Sequence, residues 1–239
     1  MNMLGKVLGI CLFFAGACQP VIALEMLHFI EGKEYSDYLE DAKGLKITND
    51  GIVYVTSTHK GSLLKITDGN IEVINLNPSI FKDSDLAGIN ALHNGNLLIA
   101  NRGSDKIAIV SPDLTPIKLF SRSGSDPGEL DGPGTLTASV NNRIYVADRG
   151  NKQISVFSDQ GLFLHSFGRH GSGGKDILKP THISIDADEN IYVLEGQERL
   201  SIFDLHGNLI ERFKNKDLKI QFDGIPQFGA MTADLNGNL

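Results

Sequence analysis

The residues best suited to chemistry stand at the ends of short apolar segments of this 239-residue chain. Asn101, Asp148 and Glu195 each end such a segment, and arginines follow the first two as Arg102 and Arg149. Arginines at equivalent positions can form an edge that binds a carboxylate or a phosphate. They can also form ordinary solvated or inter-segment ion pairs, and Asp148 can accept hydrogen bonds from its own turn. We predict that these five residues belong to a ligand-binding face.

A sixth candidate is His182, near the start of the segment HISID. An imidazole there can ligate a metal ion, or it can serve as a hydrogen-bonded histidine within a strand. We place His182 with the ligand-binding residues. The sequence predicts no catalytic residue, because no spacing points to a Ser-His-Asp or paired-carboxylate arrangement.

Two other stretches match ligand loops only in part. Residues 186–190 (DADEN) open like a calcium loop but lack the glycine at the sixth place and the downstream glutamate. Residues 168–175 (GRHGSGGK) lack the spacing of a phosphate loop and precede a strand. We therefore expect no cofactor and no metal site, since neither calcium nor zinc has support in the sequence.

A repeat of about 47 residues positions these candidates. The strand signals DGIVYV, NGNLLI, NNRIYV and DENIYV recur, with NGNL at the chain end, and their central residues are spaced by 44, 47 and 47 positions. Those central residues are Tyr54, Leu98, Tyr145 and Tyr192. Each signal is short, alternating and bounded by Gly, Asn or Asp, so each unit is predicted to be a small antiparallel meander.

The third and fourth units show four strands each. The third reads as strands over 135–140, 143–148, 153–157 and 162–167. The fourth reads as strands over 182–186, 190–195, 199–204 and 209–213. Four strands per unit and a period in the forties are typical of propeller blades. We predict an all-β fold, a β-propeller of four-stranded antiparallel blades.

The same units resemble the NHL-repeat family. IYVADRGNKQISVFSDQGLFLHSFG (144–168), a Gly-rich loop and KPTHISIDADENIYV (179–193) follow that family's order of strand, Asp-x-Gly-Asn turn, strand, loop, Pro-Thr and strand. The absence of Trp disfavours the tryptophan-aspartate class, and a single Gly-Gly pair disfavours the kelch class. The resemblance covers 44–239 and implies an NHL-type propeller, but it says little about function.

The resemblance also implies a ring that is commonly six-bladed, of which this chain holds about 4.5 blades. Since the repeat stops at Leu239 within a fifth unit, we expect a chain truncated at its C-terminus. We divide it into a signal peptide (1–23), an N-terminal segment (24–43) and an incomplete propeller (44–239). Within 24–43, MLHFI (26–30) is a candidate ring-closing strand.

The N-terminus carries an export signal. Lys6 precedes an apolar run over 7–17, which is too short to span a bilayer and has the length of a signal-peptide core. Cleavage after Ala23 fits the small residues there, acylation of Cys18 in AGAC is the lipoprotein alternative, and a retained anchor is the third. All three place the protein outside the cytoplasm, periplasmic or extracellular, and a lipid on Cys18 would attach it to the membrane.

Charge excludes one class of partner. The chain has 29 acidic and 22 basic residues and a net charge of −7, which becomes −8 once residues 1–23 are removed. Nucleic-acid binding needs a basic face, so the charge and the export signal disfavour it. We expect a protein, peptide, glycan or small-molecule ligand instead.

Alternating connections in a four-stranded meander put the turns from second to third strand on the same side as the loops between blades. That face carries the six candidates and the loops 121–134 and 168–180, and such loops on a rigid scaffold commonly bind ligands. We predict a non-catalytic binding or scaffold module. The resemblance leaves an alternative, a metal-dependent enzyme like the peptide-amidating lyase or gluconolactonase, whose site missing blades would complete. Only one unit offers a histidine at the inner strand, which favours binding.

Overall fold

The computed structural model of the chain describes residues 42–48, 50–57, 61–76, 81, 85–169, 174–196 and 199–214. Within these ranges it contains sixteen β-strands in four sheets and no helix. The described residues accordingly include no helix with the length and hydropathy needed to cross a membrane. The predicted signal peptide, Cys18, the strand over 26–30 and the fifth repeat lie outside the described residues.

Each sheet is one blade of four consecutive antiparallel strands. Blade 1 comprises β1 (Ala42–Ile47), β2 (Val53–Ser57), β3 (Ser62–Thr67) and β4 (Asn70–Asn75). Blade 2 comprises β5 (Leu86–Ala91), β6 (Leu97–Asn101), β7 (Lys106–Val110) and β8 (Pro116–Phe120). Blade 3 comprises β9 (Pro133–Ala138), β10 (Ile144–Asp148), β11 (Gln153–Phe157) and β12 (Phe163–Phe167). Blade 4 comprises β13 (Pro180–Ile185), β14 (Ile191–Glu195), β15 (Arg199–Phe203) and β16 (Leu209–Lys214).

This arrangement confirms the predicted all-β propeller of four-stranded antiparallel blades. The strand bounds agree with the prediction to within two residues in blades 3 and 4, and the first strand of each begins two residues early, at Pro133 and Pro180. Blade 1 likewise begins at Ala42 rather than residue 44. The difference arises because the first strand pairs past a β-bulge with the end of the second, a contact the apolar pattern does not mark.

The two middle strands of a blade are the most buried. Every residue of β2, β6, β10 and β14 is buried, while each fourth strand also carries exposed residues. A strand covered on both faces reads as a continuous apolar run, which is why IYVAD and LLIAN gave the clearest repeat signals. The single polar residue that ends each of these strands is therefore enclosed by the fold.

Among the described residues, three of the four apolar clusters lie between blades, and the fourth lies within blade 1. Leu63 of blade 1 packs in one cluster with Leu86 and Ile99 of blade 2. Further clusters join blade 2 to blade 3 and blade 3 to blade 4 in the same way. Two of the repeat-defining tyrosines add a hydrogen bond across the same boundaries, since Tyr54 donates to the Pro112 carbonyl and Tyr145 to the Leu205 carbonyl, both at 3.4 Å.

The first strands, β1, β5, β9 and β13, pack side by side along the inner wall. Two glycines permit this close approach. A Cβ at Gly44 would lie 2.7 Å from the Ala87 carbonyl oxygen of the next blade, and one at Gly88 would lie 2.7 Å from the Thr135 Cα. In both cases the nearest atom belongs to the backbone, which shifts less readily than a side chain. This position along the inner strand therefore faces the following blade.

Candidate functional site

The turns between second and third strands and the loops between blades do share one face, which we call the loop face. Hydrogen bonds tie the two sets together. The backbone N–H of Asp131, in the loop before β9, donates to Asp148 Oδ1 at 2.9 Å. The N–H of Leu178, in the loop before β13, donates to Glu195 Oε2 at 2.7 Å. The predicted geometry of the loop face is therefore present.

Asp148 is the centre of a saturated hydrogen-bond network in blade 3. Besides the Asp131 N–H, its carboxylate accepts from Asn151 Nδ2 at 3.0 Å, Gln153 Nε2 at 3.1 Å and Ser155 Oγ at 3.1 Å. The side chain is fully buried. Burial raises the pKa of Asp148 and the four hydrogen bonds oppose that rise. The residue fixes the turn and the interblade loop, as the turn interpretation expected.

Glu195 plays the same part in blade 4, with charged partners. Arg199 Nε donates to Oε2 at 2.7 Å and Ser201 Oγ donates to Oε1 at 2.5 Å. Arg212 adds an ion pair at 3.8 Å. Ser201 occupies the place that Ser155 holds in blade 3, since each pairs with the residue two before the end of the second strand. The carboxylate and the serine thus form a repeated unit.

Asn101 holds the equivalent position in blade 2 and is also fully buried. In contrast to the two carboxylates, neither its Oδ1 nor its Nδ2 has a hydrogen-bond partner in the described part of the chain. All three positions that supply side-chain donors to Asp148 carry different residues in blade 2. Ala108 stands where blade 3 has Ser155, Lys106 where it has Gln153, and Ser104 where it has Asn151. The Ser104 hydroxyl is itself without a partner among the described residues. Asn101, Asp148 and Glu195 consequently lie behind the loop face rather than on it.

Arg102 reaches the loop face and is paired. Its Nε lies 2.6 Å and its Nη2 lies 2.5 Å from Asp85 Oδ2, and the Arg102 backbone N–H donates to the Asp85 carbonyl at 2.8 Å. The two side chains are 29% and 31% exposed, so solvent screens the pair. Asp85 was not among the predicted residues. Its only sequence signal is its place immediately before the inner strand β5.

Arg149 is the equivalent of Arg102 in blade 3, but the residue preceding its inner strand is Gly132 instead of a carboxylate. Its Nε is buried and has no hydrogen-bond partner among the described residues. The side chain lies against Gly134, where an added Cβ would come within 3.0 Å of the Arg149 Cδ. Burial, followed by the nearby charge of Arg102, lowers the pKa of Arg149. A half-buried guanidinium is thereby left without a counter-charge of its own.

His182 occupies the inner-strand position held by Gly44, Gly88 and Thr135 in the other blades. Burial and the Arg149 guanidinium lower the pKa of His182 to about 4, so the imidazole is neutral at pH 7. Its Nδ1 is buried and has no partner in the ranges that the structure describes. Arg149 and His182 thus lie near each other, one charged and one neutral, each with an unpartnered ring or guanidinium nitrogen.

The interblade loop over 121–134 is well anchored. The Leu130 N–H donates to the Arg122 carbonyl and the Gly124 N–H donates to the Leu130 carbonyl, while the Leu130 side chain is completely buried. The Gly132 N–H donates to Asp105 Oδ1 at 2.7 Å. The loop therefore forms a fixed segment beside Arg102 and Arg149, which follow strands β6 and β10. Part of the second loop, residues 170–173, lies outside the described residues.

Among the described residues, the side chains that could ligate a metal ion do not lie together. Asp186, in the stretch that opens like a calcium loop, accepts hydrogen bonds from the Asn190 backbone at 2.8 Å and from the Tyr192 hydroxyl at 2.9 Å. Burial and this hydrogen bond raise the pKa of Tyr192 to about 12. No group of three His, Cys, Asp or Glu side chains that could hold a metal ion occurs among the described residues. His182 also lies close to a guanidinium, which disfavours a cation.

Known proteins support the fold. A family described as a 6-bladed β-propeller matches residues 128–227, somewhat less than half of the chain. The WD40 β-propeller domain of Doa1 superposes with a TM-score of 0.57 at 15% identity, over 81% of this chain and 57% of that one. This chain is a β-propeller. The NHL type of the propeller stays a prediction.

Two other solved structures also superpose on this chain. A catalytically inactive virginiamycin B lyase from Staphylococcus aureus, solved with quinupristin, has a TM-score of 0.61 at 19% identity, with 80% of this chain and 60% of that one covered. A protein of unknown function from Bacteroides caccae has a TM-score of 0.57 at 14% identity, with 74% and 62% covered. This propeller spans less than two thirds of the length of each. No curated protein matches the sequence.

Proposed function

We propose that this propeller is an exported, non-catalytic binding module that holds a protein, peptide, glycan or small ligand on its loop face. The residues proposed to contact the ligand are Arg102, Arg149 and His182. Asp148 and Glu195 are proposed to act from behind, by holding the turns in place, and Asn101 occupies the equivalent buried position in blade 2 without forming such bonds among the described residues. Export to the periplasm or the extracellular space, with lipid attachment through Cys18 as the alternative to a free protein, belongs to the same proposal.

The observation that carries this proposal is the buried Nε of Arg149, which has no hydrogen-bond partner among the described residues. A buried donor with no partner costs about 1–3 kcal/mol, and a ligand that supplies the acceptor recovers that free energy. The neighbouring Nδ1 of His182 is unpartnered as well. Unsatisfied polar groups that lie together on anchored loops are more typical of a ligand site than of a structural feature.

Thermal unfolding of the full chain tests the proposal. A panel of short peptides, oligosaccharides and small organic acids is added to the wild type and to the variant Arg102→Gln/Arg149→Gln/His182→Asn. We expect at least one class to raise the Tm of the wild type in a concentration-dependent way. The variant loses that rise, whereas Arg143→Gln, on the opposite face, keeps it. A rise that survives in the triple variant would place the ligand elsewhere and contradict the proposal.

The alternative proposal is a metal-dependent propeller enzyme, like the peptide-amidating lyase or gluconolactonase. It is suggested by the lyase among the similar structures, whose identity of 19% is evidence for a shared fold only. Its metal would have to combine His182 with residues beyond the described ranges. Metal analysis of the purified full chain separates the two proposals. Stoichiometric zinc or calcium that is lost in His182→Asn supports the enzyme and argues against a neutral, unligated His182.

A further inference from the structure

We propose that the loop-face site takes a singly charged carboxylate, gripped by the Arg149 guanidinium, with His182 beside it as a neutral hydrogen-bonding group. This inference rests on the proposed binding function and names the class of ligand. A free organic acid and the C-terminus of a peptide both offer this chemistry.

The first step is the charge of the site. Arg102 and Asp85 form a pair that cancels to zero. His182 is neutral at pH 7, because burial and Arg149 disfavour its protonated form. Arg149 interacts with both Arg102 and Asp85, so these three side chains and the neutral His182 together carry one positive charge. One charge matches a monoanion, whereas a phosphate dianion would retain an excess negative charge in a half-buried place.

The second step is the shape of the donor. A guanidinium presents parallel N–H groups that match the two oxygens of a carboxylate. In blade 2 the protein itself provides a carboxylate, because Asp85 precedes β5 and its Oδ2 accepts from both Nε and Nη2 of Arg102. The Oδ1 of Asp85 is buried and has no hydrogen-bond partner among the described residues. In blade 3 the residue at that position is Gly132, which has no side chain to offer. An external carboxylate bound to Arg149 would reproduce the contact already built in the neighbouring blade.

The third step is the space that the glycines leave. A Cβ at Gly132 would lie 4.0 Å from the Arg102 Cγ and would meet nothing closer, so the space beside Gly132 is open and lies next to Arg102. The Arg149 side chain is held against Gly134, and the Gly132 backbone is fixed by Asp105. The acceptor position is thereby fixed by the fold and left open.

NMR of the ¹⁵N-labelled full chain tests the inference at pH 7 and low ionic strength. The probes are acetate, N-acetylglycine, the neutral N-acetylglycinamide and inorganic phosphate, and the readout is the Nε–H signal of Arg149, assigned from Arg149→Gln. We expect a saturable shift with both carboxylates and none with the amide. N-acetylglycine binding more tightly than acetate indicates a peptide C-terminus, and equal binding indicates a free small acid.

The variants sharpen the result. Arg149→Gln is expected to weaken carboxylate binding by at least about tenfold, and Arg149→Lys by less, because a point charge remains without the paired donors. Arg143→Gln removes the same charge from the opposite face and should change nothing. The lysine variant keeps the test valid if the glutamine variant fails to fold.

The outcomes separate this inference from the proposed function. The inference that the ligand is a carboxylate is overturned if phosphate binds as tightly as N-acetylglycine, or if the amide binds as tightly as the acid. Either result leaves the proposed loop-face binding module intact. Absence of any shift at Arg149 with a folded protein also overturns the carboxylate. The binding module itself fails only if the thermal panel finds no ligand that depends on the loop-face residues.

Discussion

In blade 2 the arginine at the end of the second strand is paired with Asp85, while the buried Asn101 beside it has no hydrogen-bond partner among the described residues. Blade 3 has the reverse arrangement. There Asp148 accepts four hydrogen bonds, and the Nε of the neighbouring Arg149 has no partner in the described ranges. The same strand end therefore pairs its arginine in one blade and its carboxylate in the next. Repeat architecture lets a protein vary the two tasks independently from blade to blade.

The largest effect should come from truncating the strand-end residue in the two blades. Asp148→Ala removes the acceptor of four hydrogen bonds, although Asn151 and Gln153 each keep a second acceptor, so we expect a loss of about 3 kcal/mol in the free energy of unfolding. Asn101→Ala removes a side chain that bonds to nothing described and should change stability by less than about 1 kcal/mol. Urea unfolding of both variants measures the difference. Equal losses would mean that Asn101 forms hydrogen bonds as favourable as those of Asp148, which contradicts the contrast between the two blades.

The pH dependence of stability isolates His182. A histidine whose pKa falls from 6.5 to about 4 on folding stabilises the fold fully above pH 6.5 and loses that contribution as pH falls through 4. The shift corresponds to about 3 kcal/mol between those limits. We expect the unfolding free energy of His182→Asn to depend less on pH over this window than that of the wild type. Parallel curves for the two proteins would argue against a neutral buried imidazole.

A carboxylate can be introduced at the strand end of blade 2, where the side-chain donors that bond to Asp148 in blade 3 are replaced by other residues. Asn101→Asp should cost about 2 kcal/mol at pH 7, because the buried charge lacks the partners that Asp148 has. Because burial raises the pKa of the new carboxyl, lowering the pH neutralises it, and we expect part of the lost free energy of unfolding to be regained. Adding Ala108→Ser restores the hydroxyl that Ser155 gives to Asp148, and should recover about 1 kcal/mol. Chemical unfolding of the single and double variants checks both values.

The smallest stability effect should come from the arginine pair. Asp85→Asn removes a half-exposed ion pair and should cost less than about 1 kcal/mol. It also leaves a second guanidinium uncompensated beside Arg149. We therefore expect inorganic phosphate to bind to this variant several-fold more tightly, by about three- to tenfold, than to the wild type. Titration calorimetry gives the ratio, and an unchanged phosphate affinity would show that the two arginines do not share a ligand.

The sequence predicted the blades and the loop face because both depend on local signals. IYVAD and NIYVLE mark strands by their apolar run, and the repeat then places every equivalent turn. It also suggested that Asp148 bonds within its turn, since short carboxylates commonly do so. The pairing state of the arginines could not be predicted in this way. Whether Arg102 or Arg149 has a partner depends on the residue before the inner strand of the same blade. Leu86 and Pro133 become neighbours of those strand ends only in the folded sheet.

The placement of the core between blades has a consequence for how this propeller loses its structure. Each apolar cluster that joins blades spans two neighbouring blades, so stability is coupled mainly between nearest neighbours. A defect at the strand end of blade 3 would be transmitted to blades 2 and 4 and would reach blade 1 only weakly. Amide exchange should therefore show opening in adjoining blades together, as a graded series of partly unfolded states instead of one all-or-none event.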